Sequence, residues 1–216
     1  YSEYFRTVSL EYTGTARSII IPEKYPYNGK EVSIASVHLS WENKEVLDDL
    51  LVCADGIELG ADILCASRNV CFAPGVNSCK VGKLWATKRL CALESINFPK
   101  ESSALVEYLL SEPSFYDSPY FKSLPVDEKG VKLLNGKAAG ADRSLEVYDV
   151  GDETVISLLW VNAQRRVGNV VVGKNATDIL FPAKNSETCK NYIGGFTIRE
   201  SKTFVLENGV LYKVRG

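Results

Sequence analysis

Three Asn-Gly dipeptides, at 28–29, 135–136 and 208–209, constrain this chain more than any other local feature. Both residue types tolerate positive φ, which a two-residue type I′ turn demands at both central positions, and such a turn sets its flanking strands antiparallel. The clearest case is "TFVLENGVLYKV", Thr203 to Val214, where β-prone arms flank Asn208-Gly209 and predict a hairpin. Asn28-Gly29 precedes "EVSIASVHLSW". There Val32 and Ile34 alternate, and Val37, Leu39 and Trp41 alternate one step out of phase. A β-bulge near Ala35-Ser36 reconciles the two phases. Val8, Leu10 and Tyr12 make a further face of period two.

From Ser144 onward the chain reads as strand and turn, with turn signals about every ten residues. "SLEVYDV", "TVISLLWV", "NVVVG" and "YIGGFTI" are the strands, the second apolar on both faces and so suited to mid-sheet. Two stretches read as helices. "NKEVLDDLLV" puts Val46, Leu47, Leu50 and Leu51 on one face behind an Asn43 cap. "SSALVEYLLSEP" repeats the spacing at Leu105, Val106, Leu109 and Leu110, capped by Ser102 or Ser103 and stopped by Pro113. The expected fold is mainly β: an antiparallel β-sandwich or distorted β-barrel with two short α-helices before residue 112. The expected organisation is a single β-rich domain over 1–216, with 112–130 as the place where a subdivision would fall. No internal repeat is read.

Five of the six cysteines, Cys53, Cys65, Cys71, Cys79 and Cys91, fall within one stretch, and Cys189 lies far downstream. Structural zinc sites draw on tight C-x2-4-C knuckles, which this spacing lacks, and His38 is the sole histidine. No metal site and no cofactor are expected. An even count favours disulfides over buried thiols, and full pairing requires at least one bridge to Cys189. "NAT" at Asn175 to Thr177 is an N-glycosylation sequon at an expected turn. Together these features point to a secretory or extracellular setting. The chain begins at Tyr1 with no signal peptide, as a processed or excised product does.

The catalytic motifs that the sequence brushes against fail on chemistry. "GNVVVGKN" from Gly168 matches G-x-x-x-x-G-K, but three successive valines favour an extended strand and Asn175 stands where a phosphate loop needs a hydroxyl. G-x-S-x-G is missing, and His38, on the bulged strand between Val37 and Leu39, points away from both as an edge residue rather than a general base. Asp48-Asp49 read as a solvated edge. No catalytic residue is assigned.

What remains suits recognition. "SFYDSPYF" carries Phe115, Tyr116, Tyr120 and Phe121 on one proline-stiffened loop, and "YPY" carries Tyr25 and Tyr27. Arg165-Arg166 sit between two strands, where a guanidinium pair can meet a carboxylate or acidic sugar. A net charge of −2 supplies no field for nucleic acid, and Lys80, Lys83, Lys88 and Arg89 form only a small basic strip. No apolar run is long enough for a membrane span. The expected function is a non-enzymatic recognition domain that binds a protein or glycan, displayed extracellularly or on a virion surface in receptor binding. The alternatives are a capsid or spike domain that forms a homo-oligomer, and a secreted hydrolase with dispersed carboxylates.

Overall fold

The computed structural model describes residues 7–40, 45–82, 90–182 and 191–214. The chain divides into two compact units: Tyr1–Leu109 with Asp117–Tyr120, and Leu110–Tyr116 with Phe121–Gly216.

Among its described residues the first unit holds nine strands: β1 (Thr7–Tyr12), β2 (Ser18–Ile21), β3 (Lys24–Tyr27), β4 (Lys30–Leu39), β5 (Leu47–Val52), β6 (Ile57–Gly60), β7 (Ser67–Phe72), β8 (Cys79–Gly82) and β9 (Ser95–Ile96). One sheet runs β1-β4-β6-β8 and the other β2-β5-β7-β9, and every neighbouring pair along both runs is parallel. With β3 set aside, successive strands alternate between the two sheets. Each return to the same sheet takes roughly 20–30 residues, the signature of stacked coils. The expected antiparallel pairing is therefore corrected: the fold is mainly β, but its sheets are mostly parallel. The repeat missed in the sequence lies in the connectivity, not in recurring residues.

Parallel stacking lines up like residues. Ile21, Val52 and Phe72 are consecutive partners across three strands and all are buried, as are Leu50 and Val70. On the outer face of the same sheet Ser18, Asp49, Asn69 and Ser95 form an unbroken hydrogen-bonded row at 3.0, 3.2 and 2.7 Å. Beside it Arg17, Asp48, Arg68 and Glu94 alternate in charge. Asp48-Asp49 thus lie on a strand, not a helix.

The helix expected over 43–52 is corrected to β5; its Asn43 cap lies outside the described residues. Leu47 and Leu50 suggest a helical turn, yet both are fully buried with Val52 on a strand held between β2 and β7. A helix the sequence did not announce, α1 (Ala61–Ala66), joins β6 to β7 and packs on β4, β6 and β7. The second expected helix is present as α2 (Ser103–Ser111), with Leu105, Val106, Leu109 and Leu110 buried. A 3-10 turn over Pro113–Asp117 and α3 (Pro119–Ser123) follow.

The second unit repeats the alternation. After the hairpin β10 (Lys132–Leu134) and β11 (Lys137–Gly140) come β12 (Leu145–Asp149), β13 (Val155–Ser157), β14 (Val167–Val172), β15 (Asp178–Leu180) and β16 (Phe196–Ile198). β12-β14-β16 form one parallel sheet and β13-β15 another. "TVISLLWV" is shorter than expected as a strand, because the chain turns after Leu158 to bury Trp160. "GNVVVGKN" is strand β14 followed by a turn. The unit ends in the hairpin β17 (Phe204–Glu207) and β18 (Val210–Lys213). All three Asn-Gly pairs have positive φ at both residues, and each closes an antiparallel hairpin: β3–β4, β10–β11 and β17–β18.

Candidate functional site

The hairpin β3–β4 is an antiparallel branch on the edge of a parallel sheet. Its turn is fixed by Asn28-Gly29, at φ 48° and 72°. All four residues of β3 are exposed. Tyr25 and Tyr27 are alternate residues of one strand, so they share a face, and they keep 37% and 36% of their surface. Tyr25 pairs with the buried Val32, and Tyr27 with Lys30 at the tip. Pro26 between them stiffens the arm and, on an edge strand, takes no donor from the sheet. Two amphipathic rings are thus presented in a fixed orientation.

A polar recess of about 400 Å³ opens in the same unit, lined by Glu23, Lys24, Ser33, Cys53, Asp55 and Gly75 among others. Lys24 Nζ donates to Ser33 Oγ at 2.9 Å, which ties β3 to β4 at the recess. Asp55 accepts the Ser78 and Asn77 N–H groups at 2.9 and 2.8 Å and the Asn77 side-chain amide at 3.3 Å. These donors, Ser78 first, hold its carboxyl below the usual range and keep it ionised. The recess therefore offers fixed acceptors beside an aromatic arm, a combination suited to hydroxyl or amide groups of a partner.

The second unit has a larger recess, about 570 Å³, at the corner after β12, β14 and β16. Both cations of its lining are engaged: Arg199 meets Asp149, just outside the lining, at 3.0 Å, and Lys174 meets Asp152 at 3.7 Å. Burial opposes ionisation of Asp149, but the Gly151 N–H, Arg199 and Lys129 outweigh it and keep the carboxyl low. With its cations paired to carboxylates and no aromatic side chain among the described residues of its lining, this recess is the weaker binding surface.

The aromatic loop is corrected. Phe115, Tyr116 and Phe121 are 0, 2 and 1% exposed and stack edge-to-face on one another, so they form core rather than contact surface. Tyr120 is half-buried, and burial raises its phenol. Three large rings within seven residues bury more apolar area as a cluster than a surface loop returns in contacts. Arg165 is half-buried and Arg166 exposed in the loop before β14, with Arg166 5.7 Å over the Tyr192 ring. His38 is half-buried in β4 beside Glu11, and its Nδ1 has no hydrogen-bond partner. Asn175 is exposed in the turn after β14.

No two of Cys53, Cys65, Cys71, Cys79 and Cys91 are joined by a disulfide, so the bridges expected within this group are not formed here; Cys189 lies outside the described residues. Cys65, Cys79 and Cys91 are buried, Cys53 is half-buried and Cys71 is exposed. Burial pushes the Cys79 thiol up to about 12. Among the described residues no group of His, Cys, Asp and Glu is gathered as a metal centre, and no helix is long and apolar enough to cross a membrane. What sequence reasoning missed is the recess around Asp55, whose residues come from four separate stretches of chain. Only the adjacent Asn77-Ser78 donors hint at it. Comparison with protein-family models, curated proteins and solved structures finds no match to this chain.

Proposed function

We propose that this chain is a non-enzymatic recognition domain that binds a protein or glycan partner through the Tyr25–Tyr27 arm and the recess near Asp55. The observation that carries this reading is the rigid exposed hairpin, with two tyrosines on one face, set on a stacked scaffold. Stacked coils offer extended surfaces on which a partner can lie, and tyrosine gives large contact area at low entropic cost. The buried rows of both sheets, and α1 packing on β4 of one and β7 of the other, support facing sheets around a shared core, a sandwich built from coils. The exposed Asn175 sequon is compatible with display outside the cell or on a virion.

The test is binding of the chain to a printed glycan array and to a panel of purified extracellular protein domains. A Tyr25→Ala/Tyr27→Ala variant should lose the signal by tenfold or more while its thermal midpoint stays within a few degrees, since central aromatic anchors each contribute about 2 kcal/mol or more. Undiminished binding by the double variant would sink the assignment to this arm.

A second reading rests on the C-terminal hairpin, where Val205, Leu206, Val210, Tyr212 and Val214 are all exposed. Such an apolar hairpin suits an oligomeric structural domain. Sedimentation velocity separates the two readings: an oligomer that a Val210→Lys change dissociates favours the second, and a monomer at micromolar concentration favours the first.

A further inference from the structure

We infer that Asn28 is a site of spontaneous covalent modification, at which the side-chain amide is lost by cyclisation onto Gly29, and that it converts before Asn208 and Asn135. The chemistry belongs to the Asn-Gly dipeptide, and the order belongs to the fold. Glycine leaves its backbone nitrogen uncrowded for attack on the preceding asparagine side chain. A Cβ built on Gly29, Gly136 or Gly209 would meet nothing within 4 Å, so crowding does not separate the three sites. At each site the Asn and Gly lie beyond the last ladder pair: Tyr27 with Lys30, Leu134 with Lys137, and Glu207 with Val210. The asparagines hold left-handed backbones, at φ 48°, 48° and 50° for 28, 135 and 208. Ring closure needs the asparagine backbone to rotate out of the turn. Its rate therefore follows the free energy of opening each hairpin.

The three hairpins differ in what opening costs. Residues 22–30 are all exposed, and among the described residues the pairing of β4 with β1 begins only at Ser33. The Lys24 to Ser33 side-chain bond, at 2.9 Å, lies at the base of that arm and not at its tip. The β17–β18 hairpin is better anchored, by the buried Phe204 ring and by Lys213 to Asp178 at 3.2 Å. The β10–β11 hairpin is built into the core: Lys132, Leu134, Ala138 and Ala139 are buried, and Lys132 Nζ donates to the Lys122 carbonyl at 2.9 Å. Opening it exposes apolar surface and strands a buried ammonium group, so it costs the most.

The Gly29 nitrogen gives its proton to solvent and attacks Asn28 Cγ. The N–Cγ bond forms, the Cγ–Nδ2 bond breaks, and Nδ2 leaves as ammonia with a proton returned from solvent. Water then adds to one carbonyl of the five-membered imide and opens it. One opening leaves aspartate at 28, and the other leaves isoaspartate, with the main chain routed through Cβ. One water is consumed, one ammonia is released, and nothing is oxidised or reduced. Isoaspartate adds a backbone atom to a turn built for two residues, so Tyr25 and Tyr27 lose their register with Val32 and Lys30. The consequence for binding rests on the recognition reading; the conversion itself does not.

The test incubates the whole chain in mildly alkaline buffer, native and in denaturing urea, with no ligand present. Mass spectrometry follows each Asn-Gly peptide through its amide-to-acid mass gain. In urea the three sites should convert at similar rates. In the native chain Asn28 should lead and run about tenfold or more ahead of Asn135, with Asn208 between them. In the isoaspartate fraction, hydrogen-exchange protection over 24–33 should be lost while that over 132–140 persists. A native lead by Asn135 or Asn208, or equal native rates at the three sites, would overturn the inference. So would an Asn28 that stays intact in the native chain while the urea control converts, or protection over 24–33 that survives conversion.

Discussion

Tyr116 and Tyr148 are both buried phenols in the second unit, and their energetics point in opposite directions. The Tyr116 hydroxyl meets the Leu110 carbonyl at 2.8 Å and also Ser157 Oγ, which itself donates to Leu110 O at 3.0 Å. The Tyr148 hydroxyl, fully buried, has no hydrogen-bond partner; the edge-on Trp160 ring commits its Nε1–H to Ser157 O. Removing a paired hydroxyl forfeits a bond of about 0.5–1.5 kcal/mol, whereas removing an unpaired one relieves a desolvation cost of about 1–3 kcal/mol. Tyr116→Phe should therefore lower the urea midpoint and Tyr148→Phe should raise it. The same sign for both changes would contradict this account of the core.

At the scale of elements, coil corners and hairpin tips place different demands on glycine. A Cβ built on Gly173 would stand 2.0 Å from the Gly151 carbonyl of the preceding corner, so the coils stack there only because residue 173 lacks a side chain; a Cβ on Gly151 would meet nothing within 4 Å. Gly209, at φ 77°, has open space around it and needs only its backbone freedom. Gly209→Ala should cost about 1–2 kcal/mol of left-handed strain. Gly173→Ala should cost more, because backbone must move against backbone and overpacking adds about 1–3 kcal/mol or above. Equilibrium unfolding of the two variants ranks them, and a smaller loss for Gly173→Ala would show that the corner is looser than its geometry.

At the scale of the whole molecule, titration bounds stability on both sides. Asp55 and Asp149 have carboxyls held below 3.8 in the fold. Their contribution is complete above that unfolded value and is lost as pH falls through the lower folded values. Tyr116 and Tyr148 are pushed above 10.0, burial being the main cause in each. Their contribution is complete below pH 10 and is lost as pH rises beyond it, because the unfolded chain ionises first. The urea midpoint should thus be flat between about pH 5 and pH 9 and fall on either side. Asp55→Ala should flatten part of the acid limb, and an unchanged limb would remove Asp55 from the account.

The sequence alone settled what depends on a few consecutive residues. Asn-Gly set three hairpins because no other local geometry suits that dipeptide so well. The phase slip between Ile34 and Val37 placed a bulge that the pairing confirms, with Ser9 shifting to Ser36 past Ala35. The spacing of Leu105 to Leu110 marked α2. Tertiary structure decided the rest. Leu47 and Leu50, three residues apart, fit a helical turn better than a strand's period of two, and only parallel neighbours on both sides made them β5. The 115–121 aromatics were legible as a cluster but not as core, since whether a ring meets solvent or another ring depends on distant chain. The parallel alternation itself escaped notice because each coil conserves a position in space rather than a residue type, and lateral pairing across roughly 20–30 residues leaves no local mark.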